Sequence, residues 1–260
     1  LYLPITVITD SGTYKWLKTK PDGVAQAKKY IDNIVITDED LKPNYRKHWD
    51  SPWSSFNAPF LNGNKHKIWE YSPYEQTLLL DIDYMIRSDS LLHSFDHYTG
   101  PAMFDNAISL RNELPGPRER FLFDAGIPMW WSTVVYFDRT DVSKTFFDLW
   151  AHVADNYEFY QYLYNFPGKL FRTDYCVSIA VHILNGMTAG DTVNSLPGFL
   201  LNMDQKDDIV EVRNRDWIML SNDTAKQWEN IVVKVTDQDM HCMNKRAILR
   251  HKKNIWENNT

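Results

Sequence analysis

The stretch Tyr74-Glu75-Gln76-Thr77-Leu78-Leu79-Leu80-Asp81-Ile82-Asp83 constrains this chain more than any other. An apolar run led in by Thr77 reads as a buried strand, and it ends abruptly in two carboxylates spaced i, i+2. In an extended backbone that spacing sets Asp81 and Asp83 on one face and turns Ile82 to the other. Acids at the end of a core strand need a partner, because burying unpaired charge is costly. A divalent cation is the simplest partner, and a cation there suggests a ligand that carries phosphate or diphosphate.

The rest of the chain alternates strand and helix signals. Residues 3–9 read as a strand ending at Asp10, with Gly12 as the turn, and residues 34–36 as a second strand. Asp38-Glu39-Asp40 then reads as an acidic helix start. Residues 52–63 read as a Trp- and Pro-bearing loop, and residues 68–74 as a short helix. Such alternation predicts a parallel sheet covered on both faces. Downstream, residues 131–137 read as a strand, and residues 141–153, 157–164 and 173–184 as helices. Asn185-Gly186 stops the last of these. Short strands fill 209–220 and 231–235, and the Pro/Gly-rich Leu114-Pro115-Gly116-Pro117-Arg118-Glu119-Arg120 reads as a surface loop. With 260 residues and no repeat or linker, one domain over 1–260 is expected.

Composition narrows the classes. Hydrophobic residues at 43% and charged residues at 24% fit a soluble globular protein. Cys176 and Cys242 give no disulfide framework, which favours a reducing compartment and a cytoplasmic location. No apolar run approaches the roughly 18 residues of a membrane span. A net charge of -6 argues against a uniformly basic, nucleic-acid-coating protein. Yet Lys245, Arg246, Arg250, Lys252 and Lys253 crowd the last helix-like stretch. They read either as a solvated helix with cations near its C-terminal end or as a polyanion-facing patch. The aromatic fraction of 14% reads first as core filling and second as rings that stack on sugars or bases. Two other acidic triplets compete with Asp81 and Asp83. Asp38-Glu39-Asp40 reads as a helix cap and Asp237-Gln238-Asp239 as a strand-end turn, two residues before His241.

The apolar strand with its Asp-x-Asp end resembles the GT-A type of nucleotide-sugar glycosyltransferase, in particular the glycogenin and galactosyltransferase group. Three later landmarks resemble that family in order. Phe123-Asp124-Ala125-Gly126-Ile127 is similar to its Asn-Ala-Gly loop beside the donor sugar, with Asp in first place. Asp174, in Arg172-Thr173-Asp174-Tyr175, resembles the later aspartate that contacts the sugar. His241-Cys242-Met243-Asn244-Lys245 resembles the C-terminal His that completes the metal site, with a Lys for the diphosphate. The family's Lys-Pro-Trp after that His is absent, and the interval from His to Lys is one residue shorter. Members usually open with a strand and helix that cradle the nucleobase. This sequence begins past that unit and without Met, so the unit is expected to be missing or built differently. Ser72-Pro73-Tyr74 and the compact size also resemble glycosyltransferases of tailed bacteriophages.

The resemblance implies an α/β, Rossmann-like fold, with a mixed but mainly parallel central sheet flanked by helices. It implies a metal-dependent hexosyl- or pentosyltransferase that moves a sugar from a nucleoside-diphosphate sugar to an acceptor. Asp81, Asp83 and His241 would hold manganese or magnesium. Mixed oxygen and imidazole ligation suits manganese better. Lys245 would sit on the diphosphate, Lys67 would reach the donor, and Thr9 and Asp10 would lie where the family contacts nucleotide. Asp124 and Asp174 are the candidates to orient sugar hydroxyls or take the acceptor proton. Arg111, Arg118 and Arg120, with the basic tail, suggest a DNA acceptor such as a hydroxymethylated phage base, flipped from the stack in the host cytoplasm. A saccharide acceptor is the other expectation. Two alternatives stand beside this reading. One is a haloacid-dehalogenase-like phosphohydrolase, against which Tyr84-Met85 after the second Asp counts. The other is a non-catalytic nucleotide-sugar-binding module.

Overall fold

The computed structural model describes residues 3–20, 28–37, 44–60, 63–114, 120–122, 126–166, 170–222 and 229–257. It is a mixed α/β structure in which the described strands form several small sheets rather than one large parallel sheet. The expected α/β class is therefore observed. The mainly parallel character is not, because four of the described strand pairings are parallel and six are antiparallel.

The first core sheet is organised by Trp131–Asp138, a run of β-branched and aromatic residues buried from Ser132 to Phe137. It pairs antiparallel with Gln76–Leu80 on one side and with Ala102–Phe104 on the other. Asn194–Ser195 adds in parallel to the outer edge. The helices Asp141–Asp155, Tyr157–Tyr164 and Thr173–Leu184 stand close to where the sequence predicts them. Asp138 starts the first helix firmly: its Oδ1 accepts from the Thr140 N–H at 3.2 Å and from the Thr140 and Ser143 hydroxyls at 2.6 and 2.8 Å. Phe137, Phe146, Phe147 and Trp150 then share one core with Val177 and Ile179 of the last helix.

The second sheet runs in the order Tyr84–Met85, Met240–Cys242, Leu200–Met203, Ala107–Ser109. It brings the end of the chain beside the acidic segment. An antiparallel meander follows, from Asp208–Arg213 through Asp216–Asn222 to Asn230–Thr236, covering the expected strands at 209–220 and 231–235. The opening strand Thr6–Thr9 pairs in parallel with Asn33–Ile36. No helix among the described residues is long and apolar enough to cross a membrane.

Three local expectations need correction, the first being Gly12, which lies within the Ser11–Lys18 helix rather than in a turn. The segment read as a loop over 52–63 is largely the second half of a hairpin, Asn44–Ser51 paired with Ser54–Phe60. Pro52 and Trp53 form its turn, and the single Pro59 within the second strand is compatible with a two-stranded ribbon, where one edge is unpaired. The Asp-x-Asp segment is not extended either. The strand stops at Leu80, and the Tyr84 N–H donates to the Asp81 carbonyl at 2.9 Å, closing a turn over Asp81-Ile82-Asp83-Tyr84. Ile82 projects outward at 89% exposure, so the two acids share a side through the turn rather than through strand alternation.

Asp207 joins the meander to the second sheet. Its buried carboxylate accepts from the Asp204 N–H at 2.9 Å and the Asn222 N–H at 2.8 Å. Burial outweighs these bonds and pushes its pKa from the ordinary 3.8 up to about 6. The folded state thus holds this proton more tightly than the unfolded chain. Its contribution is full below pH 3.8 and is lost as pH rises through about 6. The loss is about 3 kcal/mol by linkage. Asp207→Asn is expected to flatten the fall in urea-unfolding stability between these pH values, and an unchanged slope would contradict the assignment.

Candidate metal centre

Strand pairing, not proximity in sequence, builds the site. His241 is the register partner of Tyr84, and the Cys242 N–H donates to the Asp83 carbonyl at 2.8 Å. One ligand atom from each of Asp81, Asp83 and His241 lies within 4.8 Å of the others. His241 Nε2 is 3.5 Å from Asp83 Oδ1. On its far side, His241 Nδ1 meets the Asn202 side-chain oxygen at 3.1 Å. An amide oxygen only accepts, so this contact puts a proton on Nδ1 and leaves Nε2 as the ring nitrogen turned toward the carboxylates. Nε2 is therefore the nitrogen this ring would offer a metal. Two carboxylates and an imidazole within this distance could hold a divalent metal ion.

Two ammonium groups frame the acids. Lys65 donates from Nζ to Asp81 Oδ1 at 2.6 Å and to the Ser132 carbonyl, with its side chain 6% exposed. Lys245, at the start of the Lys245–Glu257 helix, reaches Asp83 Oδ2 at 3.2 Å. Burial works to raise the Asp83 pKa, but His241 and Lys245 together outweigh it and bring the value down to about 2. Asp83 is therefore a carboxylate throughout the neutral range.

Asp174 joins the same neighbourhood through Ser132. Its Oδ1 accepts from the Ser132 N–H at 3.1 Å and hydroxyl at 2.8 Å, while the Ser132 carbonyl takes the Lys65 ammonium. Burial opposes ionisation of Asp174, and Arg172, Ser132 and Lys65 hold its pKa below the usual carboxylate value. Asp174 is accordingly an acceptor and charge partner rather than a proton donor at neutral pH.

The remaining predicted residues divide. Asp124 lies outside the described residues, as do Arg118 and Asp38-Glu39-Asp40. Asp10 is the N-cap of the Ser11–Lys18 helix, accepting from the Thr13 N–H at 2.7 Å and hydroxyl at 2.6 Å. That bonding accounts for it structurally and lowers its pKa. Thr9 ends the first strand, where its carbonyl accepts from the Thr37 N–H. Lys67 sits in the same 3-10 turn as Lys65, but it is Lys65 that reaches Asp81. The Arg111 guanidinium donates to the Ser221 hydroxyl and carbonyl and to the Glu229 carbonyl. Arg246 and Arg250 pair with Asp50, and Arg250 also with Asp208. The rival acid Asp239 accepts from the Arg87 and Ser88 N–H groups and the Ser90 hydroxyl, a structural tie across the second sheet.

Sequence reasoning missed Lys65, Asn202 and one face of the Asn44–Ser51 strand. Arg46 and His48 alternate along that strand with period two, a signal that was present in the sequence. Arg46 donates to the Phe171 carbonyl at 2.6 Å, and burial, then the nearby Arg172, lowers its pKa to about 10. Burial, followed by Lys245 and Arg46, lowers the His48 pKa. The hairpin thus adds basic groups on the side where Lys245 and Arg172 approach the acids. Comparison of the chain with protein-family models, curated proteins and solved structures finds no match.

Asn202→Ala is expected to weaken manganese binding about 10–100-fold, by releasing the imidazole orientation. Calorimetric titration checks this, and unchanged affinity would remove Asn202 from the site.

Proposed function

We propose that this protein is a metal-dependent glycosyltransferase that uses a nucleoside-diphosphate sugar on a GT-A-like fold. The observation that carries the reading is the convergence of Asp81, Asp83 and His241, with Lys245 alongside. A bound divalent cation supplies positive charge at the diphosphate as it leaves.

The chain's own groups supply the rest. Lys245 sits 3.2 Å from Asp83 and, were a cation to take over that carboxylate, would be an ammonium for a phosphate oxygen. Lys65 keeps Asp81 oriented from the protein side and fixes the strand that carries Ser132. Asp174, ionised and held by Ser132, is an acceptor for sugar hydroxyls. Departure of the diphosphate develops positive charge at the sugar carbon, which a nearby carboxylate favours. Arg46 and Arg172 add electropositive character near Asp174 and suit an anionic donor.

The same acids and lysine also suit a haloacid-dehalogenase-like phosphohydrolase, against which Tyr84-Met85 directly after Asp83 counts. His241 and its Asn202 support favour sugar transfer. Calorimetry with uridine or guanosine diphosphate sugars, with and without manganese, tests the reading. Metal-dependent binding is expected, with loss of at least about 100-fold in affinity or turnover in Asp83→Ala. Binding that ignores both manganese and Asp83→Ala, or release of phosphate from simple phosphoesters, would overturn it.

A further inference from the structure

A cleft of about 500 Å³ has Ser109, on the edge strand of the second sheet opposite Tyr84–Met85, in its wall, with Lys47, Trp49, Glu113, Asp204, Gln205 and Asp207 among its lining residues. Its position follows from strand register. Ser109, in its wall, is the partner of Asn202, and Asn202 is in turn the partner of His241. Neighbouring strands lie about 4.8 Å apart, so the backbone of Ser109 is about 10 Å from that of His241. A ligand of sugar size in the cleft would lie within reach of a group bound at the metal centre.

The wall is built and internally braced. Gln205 Oε1 accepts from the Trp49 N–H at 2.9 Å, and Asn222 donates from Nδ2 to the Lys206 carbonyl at 2.7 Å. Asp207 ties 204 to 222 as described above. The indole of Trp49 supplies the apolar surface, and a ring that covers it would displace a lysine ammonium standing over it. The Lys47 and Lys206 ammonium groups stand 4.2 and 4.8 Å from its ring centre. Glu113 and Asp204 supply carboxylates to the same space.

This chemistry selects among ligand classes. The acids Glu113, Asp204 and Asp207 offset Lys47, Lys206 and Arg111, and the Arg111 guanidinium is committed to Ser221 and Glu229. A phosphate backbone would meet these carboxylates as well as the cations. A hydroxyl-rich ring suits both signs: its hydroxyls donate to carboxylates and accept from ammoniums, and its apolar face covers an indole. The volume falls in the ordinary range for small-ligand sites.

We infer that this cleft binds a neutral saccharide against Trp49. Its role as the acceptor site rests on the glycosyltransferase reading; the binding itself does not. The test is saturation-transfer NMR of the full chain in EDTA with maltotriose, cellotriose, xylotriose and lactose. Inorganic phosphate and a short DNA duplex serve as competitors. At least one saccharide is expected to bind, with affinity reduced about tenfold or more in Trp49→Ala and in Asp204→Asn. Trp49→Phe, which keeps a ring, is expected to retain most of the binding. Asp83→Asn is expected to bind saccharide like the parent, which separates this site from the metal centre. Absence of binding across the four sugars, binding indifferent to both cleft variants, or displacement by duplex DNA would overturn the inference. Loss of manganese binding with saccharide binding intact would count against the metal centre alone.

Discussion

The pairing of Met240–Cys242 with Tyr84–Met85 is the contact on which the site depends. It joins residues more than 150 positions apart, and only through it does an imidazole from the chain's end meet acids from its first third. Two hydrogen-bond systems reinforce it. The Cys242 N–H to Asp83 carbonyl bond fixes the turn that carries the acids, and Asp239 draws in the backbone of Arg87 and Ser88. The site is thus set by buried sheet geometry rather than by loop closure, the arrangement that holds ligand atoms most reproducibly.

Charge compensation explains much of the surrounding sequence. Asp81, Asp83 and Asp174 are each met by a cation from a different element: Lys65 from a 3-10 turn, Lys245 from the last helix and Arg172 from the start of another. Partly buried acids without such partners would titrate upward and forfeit their charge. The contrast is Asp207, where burial outweighs the bonds from Asn222, Asp204 and Ser221 and raises the pKa to about 6. His241 and Lys245 therefore keep Asp83 ionised, and Arg172, Ser132 and Lys65 do the same for Asp174. The basic tail that looked available for a polyanion in the sequence is partly spent the same way, on Asp50 and Asp208.

How much the sequence revealed depended on whether a feature was local. The strand into Asp81, the long helices and the Asn185-Gly186 stop of the third were legible because periodicity and Asn-Gly stops are short-range signals. Sheet arrangement was not legible: alternation of strand and helix suggested parallel order, but the antiparallel pairing of Trp131–Asp138 on both sides is decided by tertiary packing. His241 was legible only by its order along the chain relative to the acids and Lys245. Asn202 and Lys65 gave no signal, since a lone Asn in an apolar strand and a Lys beside His66 and Lys67 acquire meaning only from spatial neighbours. The hairpin was masked by Pro52 and Pro59, which punctuate it without preventing it.

The most direct test of the account is pulsed electron paramagnetic resonance of the protein loaded with one equivalent of manganese. The central claim, an ion shared by two carboxylates and the His241 imidazole, requires nitrogen modulation from a directly bound ring, present in the parent and absent in His241→Ala. A manganese signal with oxygen ligands only, or nitrogen modulation that survives His241→Ala, would contradict it.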